Sequence, residues 1–477
     1  MTDTYQNMAL FGVTIENLNK ILATALSKGG DYADLYFESS KANELSLRDG
    51  QVNSAGTHVD YGMGVRVLSG DKTGYAFTEV TTMEEMIKAA KAASVIASQN
   101  KSRIDGFPVA QILETKAGNG YYPQTKEWEH ISVSHKIPFL QRLNGKIFSS
   151  DDRVNKVMAR ISDSQSSILF YNSEGVLASD VRPMLSIVAT CIMESNGRIE
   201  NGSYSRSYRG GFEFLTNSLI DHIAKEVVAS TSFLFNATRP KGGQMPVVMS
   251  AGSSGILLHE AIGHAFEADF NRMDTSIFSN KMGEKICSQE ISVVDDGTIP
   301  FNRGSINFDD EGVPSQKTYM VREGILESYL HDRISAKHYK TNPTGNGRRE
   351  SFRYMPLPRM RATYMENGKN REEDIIASVK KGIFALNFSN GQVQIGAGDF
   401  TFFVKSGYLI ENGKLTQPVK DINIIGNGPE ALANIVAVAS NNIIDDSTWT
   451  CGKEQYCPVS CGMPSVLVNK LIVGGNE

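Results

Sequence analysis

The sequence predicts an α+β protein, with helices and an antiparallel sheet layered in the N-terminal half and a strand-rich C-terminal half carrying one metal-binding helix. Three observations lead there. Apolar residues recur at helical spacing in a few separated windows, short alternating segments broken by turn pairs fill most of the remainder, and after residue 285 the pattern is mainly strand-like. The polar run Ala237-Thr-Arg-Pro-Lys-Gly-Gly243 divides the chain into an N-terminal α+β domain, 1–236, and a C-terminal, mainly β domain, 244–477.

Residues 14–27 carry apolar positions at helical intervals and stop at Gly29-Gly30. Segments 34–39 with 43–48, and 62–68 with 74–78, read as hairpins, with turn chemistry at Asp49-Gly50 and Gly70-Asp71. A threonine-capped run of helix formers covers 81–98. From 101 to 129 the pattern fades into a surface excursion, and a helix follows within 132–148. Strands are expected at 154–162, 167–172, 176–180 and 185–194, with a turn at 173–175, and a helix at 216–230 closes this half.

The C-terminal half opens with a strand at 244–250 and a small-residue loop at 251–255, where Ser253 or Ser254 is placed to cap the helix that follows. Strands are then predicted at 291–295, 304–308, 317–322 with 325–330, 392–395, 399–405, 407–411 and, past Asn412-Gly413, at 414–418. Two shorter helices fall near 374–381 and 429–438.

A net charge of −5 and a pI near 6.0 give no general attraction to nucleic acid or anionic membrane. The N-terminus has no basic segment followed by an apolar run, and no span is long enough to cross a bilayer, so a cytoplasmic protein is expected. Five cysteines in 477 residues do not form a disulfide framework, and free thiols leave a thiolate available to a metal.

The chemistry concentrates at 257–270, Leu-Leu-His-Glu-Ala-Ile-Gly-His-Ala-Phe-Glu-Ala-Asp-Phe. His259 and His264 offer imidazole nitrogens, and Glu260 follows the first histidine, where helical zinc hydrolases place a general base. The spacing is HExxxH rather than HExxH. Five steps of about 100° leave the two imidazoles about 140° apart on a regular helix, so a shared metal requires a π-type bulge near Ile262 and Gly263. The plain alternative is an amphipathic core helix with two satisfied histidines. A serine-nucleophile elbow does not apply, because Gly-x-Ser-x-Gly is missing from 251–255.

Two imidazoles leave a catalytic zinc short of a third protein ligand. Glu267 and Asp269 lie close in sequence but equally suit solvated or supporting roles. Cys451, Cys457 and Cys461 cluster far downstream, without the CxxC pairs of a zinc ribbon. Arg348 and Arg349 follow the flexible Gly345-Asn346-Gly347, where guanidinium groups could meet a peptide carboxylate or a developing oxyanion; the alternative is an ion pair, for instance with Glu350. His331 and His338 read as surface or supporting residues, and His58, His130, His135 and His222 have no ligand-like context.

These segments together resemble the TldD/PmbA family of metallopeptidases, and its TldD branch in particular. The matching stretches are HEAIGHAFEADFNR at 259–272, GNGRRESFRYMPLPRM at 345–360, YLIENGKLTQPVK at 408–420, IIGNG at 424–428 and CGKEQYCPVSCGMP at 451–464. The resemblance implies Zn²⁺ held by His259, His264 and Cys451, with Glu260 as general base, because only Cys451 opens a Cys-Gly-Lys segment. It leaves Cys457 and Cys461 to packing. It further implies an enclosed site between subunits for unfolded or extended peptides, in a homodimer or a heterodimer with a PmbA-like subunit. Relatives have also been described as modulators of DNA gyrase, so a non-catalytic interaction protein is the competing class, and a closed four-ligand structural zinc is a third.

Overall fold

Chain reversal in the N-terminal half is set by turns that need the left-handed backbone: Asp49 and Gly50 have φ of 50° and 80°, and Gly70 has 60°. The protein is described by a computed structural model covering residues 4–96, 107–113, 120–394 and 396–474, and its architecture is α+β. Strands Tyr32–Arg48, Gln51–Ser69, Lys72–Thr78, Val154–Asn172, Val176–Ser195 and Arg198–Tyr208, with the short Gln111–Ile112, form one seven-stranded sheet.

Several expected breaks in this sheet are absent. Segments 34–39 and 43–48 belong to one continuous strand, because Ser40, Lys41 and Ala42 are paired on both sides, for example Ser40 with Asp60 and Ser166. Flanking strands satisfy the backbone there, so Ser40-Lys41-Ala42 needs no turn. Likewise 154–162 joins 167–172, and 176–180 joins 185–194. The turn at 173–175 is present, with Gly175 at φ 84°.

Period-two alternation gives the long strands two distinct faces. Leu35, Phe37, Leu45 and Leu47 lie on one face, buried beneath helices Ile15–Ala25 and Met83–Ile96 at one end and Val133–Ser150 and Asn217–Phe233 at the other. Thr14 caps the first of these in a reciprocal box with Asn17, and Thr216 caps the last. Helix Thr4–Leu10 lies outside every expected element. Within 101–129, residues 101–106 and 114–119 fall outside the described residues.

The opposite face bears Asp34, Tyr36 and Glu38 and meets the C-terminal half. Tyr36 packs with Phe308 and Phe352, Arg66 bridges Asp34 and Glu311, and Arg182 bridges Asp180 and Asp310. The partners are all buried, so breaking one pair would strand a charge.

In the C-terminal half, Gly243–Met249, Lys381–Val393, Asp399–Glu411, Lys414–Asn427 and Val466–Gly474 close into a ring by pairing the last two with each other. A second sheet runs Ile325–Leu326, Lys317–Arg322, Val293–Asp296, Ala362–Met365, Ser460–Met463 and Ile443–Asp445. The expected strand at 304–308 holds only an isolated bridge at Phe308. The expected helix at 429–438 ends at Ala433, and Ile435–Val438 is a strand. One apolar core joins the ring and the second sheet and encloses Leu257, Leu258, Ile262 and Phe266 of the histidine segment.

Candidate metal centre

The segment entering the site is not capped as its serines predicted. Ser254 Oγ donates back to the Ser250 carbonyl, and Ser253 Oγ accepts from the Phe388 N–H at 3.3 Å. After the α turn Ile256–Leu258, residues His259–Gly263 form a π turn, in which the His264 N–H bonds the His259 carbonyl five residues back. The wider turn brings the two rings to one side, with centroids 5.0 Å apart and planes at 81°.

Gly263 supports this geometry by packing rather than by unusual torsion. Its φ of −59° is ordinary, but a Cβ there would lie 2.2 Å from Met360 Sδ and 3.1 Å from the Leu258 carbonyl.

Cys451 arrives on a hairpin of Thr450–Lys453 and Gln455–Pro458, and its Sγ lies 3.3 Å from His264 Nε2. One donor atom from each of His259, His264 and Cys451 lies within 4.8 Å of the others, and all three residues are buried. Bond lengths of about 2.0–2.3 Å to a tetrahedral zinc imply donor separations of about 3.5 Å, so the set can converge on one ion with small adjustments. Nδ1 of His259 is buried without a hydrogen-bond partner. Two imidazoles and a thiol also make a donor set suited to zinc.

Electrostatics favour a ligating sulfur. Burial pushes the Cys451 thiol up, but His259 and His264 outweigh it and hold the thiol well below its usual range. Cys457 and Cys461 are pushed up by burial, which keeps both protonated.

Behind the donors stands Glu267. Its carboxylate accepts from His264 Nδ1 at 3.0 Å and pairs with Lys453 Nζ at 3.0 Å. That contact fixes the ring so that Nε2 faces Cys451. Burial opposes ionisation of Glu267, yet Lys453 and then His264 bring its carboxyl down to about 2. Lys453 also holds Asp269 at 2.8 Å. Arg359 donates to the Cys451 carbonyl at 2.8 Å and the Gln455 carbonyl at 2.9 Å, pinning both strands of the hairpin.

Glu260 is half-buried and faces Gly391, where a built Cβ would lie 3.4 Å from its Cγ. Burial pushes its carboxyl up, against the opposing influence of His259 and His264.

Arg348 and Arg349 do not join this group. Arg348 donates to the carbonyls of Met360 and Pro458 at 2.7 and 2.9 Å. Arg349 donates to the Asp310 carbonyl at 2.9 Å and lies 3.7 Å from Asp34, while the Glu350 carboxylate instead accepts from the Tyr456 N–H. Both guanidinium groups are buried, Arg348 against neutral carbonyls and Arg349 with its Nε left without a partner. His331 is buried beside Tyr329 and Tyr339, whereas His338 is exposed. Lys453 and Arg359 escaped the sequence reading. Lys453 had a usable signal, because two steps along a strand from Cys451 return to the same face.

A π turn with two imidazoles facing a buried thiol, and a glutamate one residue after the first, brings three metal-ligating donors and a carboxylate together. Comparison with known proteins gives the family. Residues 33–97, 126–232 and 242–475 match the PmbA/TldA metallopeptidase domain 1, central domain and C-terminal domain, respectively. The chain belongs to the PmbA/TldD family of metallopeptidases. A metalloprotease TldD homolog of Haemophilus influenzae is 38% identical over 94% of this chain and 93% of its own. A metalloprotease of Methanocaldococcus jannaschii is 30% identical over 94% of this chain and 97% of its own. Among solved structures, TldE from Thermococcus kodakarensis superposes with a TM-score of 0.75 at 19% identity, covering 96% of this chain and all (100%) of that one. A Thermotoga maritima protein described as a modulator of a DNA gyrase also gives 0.75, at 22% identity, over 97% of this chain and 100% of its own. At these identities the structures speak for the fold alone. The two N-terminal matches both contribute strands to the same sheet.

Proposed function

We propose that this protein is a zinc-dependent peptidase that hydrolyses extended or unfolded peptides, with His259, His264 and Cys451 as ligands and Glu260 as general base. The observation that carries the reading is the convergence of three buried donor atoms, from positions up to 192 residues apart in sequence, beside that half-buried carboxylate. Zinc held there would supply positive charge to polarise a peptide carbonyl and acidify water.

The chain's own residues do the rest. Glu267 holds the His264 ring by Nδ1, leaving Nε2 for ligation, and Arg359 fixes the backbone that presents the Cys451 sulfur. A thiolate cancels part of the metal's charge, which places more of the task on the base. Glu260 takes the proton of the attacking water on its carboxylate and delivers it to the leaving amine nitrogen. Its partial desolvation makes it a better proton acceptor than an exposed glutamate.

We read the chain as two domains divided at 237–243, acting in the cytoplasm as a homodimer or with a PmbA-like subunit, without direct contact to nucleic acid or membrane. Among the described residues no helix is long and apolar enough to cross a membrane. The gyrase-modulator reading needs no such donor set. The test is metal analysis of the purified protein together with cleavage of an unstructured peptide before and after chelation. Stoichiometric zinc and cleavage lost on chelation and restored by zinc are expected; cleavage indifferent to metal would overturn the proposal.

A further inference from the structure

Three arginines near the Cys451 hairpin are buried without an acidic partner. Arg209, Arg303 and Arg348 are 6%, 8% and 3% exposed, and among the described residues none forms an ion pair with a carboxylate. The other buried arginines among the described residues, such as Arg66, Arg182 and Arg361, are paired. Burying a guanidinium is expensive unless an anion compensates it.

The three are close together. Arg209 donates to the Pro183 carbonyl at 3.5 Å, and Arg303 lies against the next residue, Met184, at 3.4 Å. Arg348 reaches the Pro458 carbonyl on the hairpin whose other strand holds Thr450. Burial lowers all three, and Arg303 is further depressed, to about 9, by Arg209 and Arg348.

Arg303 lines a cavity of about 590 Å³ on the N-terminal sheet, together with Asn43, Glu44, Thr57, Asp163 and Ser186, a volume suited to a small ligand or a short stretch of peptide. Its acceptors are neutral: the Trp449 carbonyl at 2.8 Å, Ser207 Oγ at 2.7 Å, Ser186 Oγ at 3.2 Å and Thr450 Oγ1 at 3.1 Å, beside the weaker Met184 sulfur. A guanidinium has five N–H donors, so these four oxygens leave one for a ligand. The other buried charge in the cavity wall, Asp163, is already neutralised by Lys136. The wall also carries the exposed Glu44, 3.8 Å from Arg160, so among the described lining residues Arg303 is the buried charge without a counter-charge. Nε of Arg209 also has no partner.

We propose that Arg303, reinforced by Arg209 and Arg348, binds the carboxylate of a peptide in this cavity. Arg303 touches Thr450, whose strand neighbour Cys451 points to the opposite side, so this carboxylate does not touch the metal donors; it anchors one end of an extended chain. The inference rests on the peptidase reading for its choice of ligand. The carboxylate can be a free C-terminus or an acidic side chain, which the test separates.

Binding of a fluorescent, unstructured peptide without acidic residues is measured by anisotropy on the zinc-loaded Glu260→Gln protein, which holds it uncut. Three forms are compared: free acid, C-terminal amide, and amide with one internal Glu. A charge-assisted contact predicts that the free acid, the internal-Glu amide or both bind at least about tenfold more tightly than the plain amide. Which of them does so names the source. Arg303→Met in the same background should reduce that preference to within about twofold, while Arg303→Lys keeps part of it. Equal binding of all three forms, or a preference that survives Arg303→Met, overturns the proposal. Should Arg303→Met fail to fold, competition on the unsubstituted protein decides: N-acetylglycine should displace the labelled acid and N-acetylglycinamide should not, and equal displacement overturns it. A selective carboxylate preference without cleavage by the wild-type protein would sink the hydrolytic reading alone, and cleavage of acid and amides with equal kcat/KM would sink this site alone.

Discussion

Replacing Lys453 by Met tests whether the hairpin that brings Cys451 also sets the charge behind His264. Lys453 is nearly buried and holds Glu267, fully buried, at 3.0 Å and Asp269, mostly buried, at 2.8 Å. Removing one partner of a buried pair costs about 3–5 kcal/mol, because the other charge is stranded. The lower end applies here, since Asp269 keeps some solvent and Arg359 remains 3.9 Å from Glu267. A loss of about 3 kcal/mol in a half-chain of this size lowers Tm by about 6–12 °C, read on the chelated protein by scanning calorimetry. Loss of the group that steadies the His264 orienter should weaken zinc binding by about 10–100-fold, read by competition with a chromophoric chelator. Pairing Lys453→Met with Glu267→Gln removes the stranded charge and should recover about 0.5–3 kcal/mol of stability. A Tm drop below about 2 °C with unchanged zinc affinity, or a double variant no more stable than Lys453→Met, would refute the reasoning.

Further outcomes follow from the same geometry. Glu260→Gln should retain zinc yet lose about 10²–10⁴-fold in peptide cleavage, and a zinc-loaded, fully active variant would remove Glu260 as the base. Gly263→Ala drives a Cβ to within 2.2 Å of Met360 Sδ, so a stability loss of about 1–3 kcal/mol and weakened zinc binding are expected, checked by calorimetry and metal analysis; a neutral effect would count against the packing account. Burial lowers His331 to about 4, so the folded state favours its neutral form. Its contribution is complete above the unfolded value of about 6.5 and is lost as pH falls through 4, up to about 3 kcal/mol. In His331→Phe the decline in Tm between pH 6.5 and 4 should be shallower than in wild type; identical slopes would contradict it.

Periodicity made the helices readable. Leu18, Ile21 and Leu22 sit at helical spacing behind a capping threonine, and the element begins where that pattern says. Strand ends were harder. Residues 40–42, Ser-Lys-Ala, carry no strand pattern in isolation, but neighbours on both sides supply their hydrogen bonds, and a pattern within one segment carries no information about pairing partners. The surroundings of the arginines were hidden for a related reason. Arg348 and Arg349 follow a flexible glycine turn, which says nothing of the carbonyls that occupy Arg348 or of the Asp310 and Asp34 groups around Arg349.

By itself, the sequence determined local matters: the α+β character, the turn pairs, and a histidine spacing that a regular helix cannot direct at one ion. Those follow from torsional preference and periodicity, which act over a few residues. Only the tertiary structure decided that Cys451 stands 3.3 Å from His264, that Lys453 pairs with the Glu267 carboxylate behind it, and that three guanidinium groups are buried without counter-charge. Distances between residues nearly two hundred positions apart are set by sheet pairing and core packing, and burial decides which charges lack compensation.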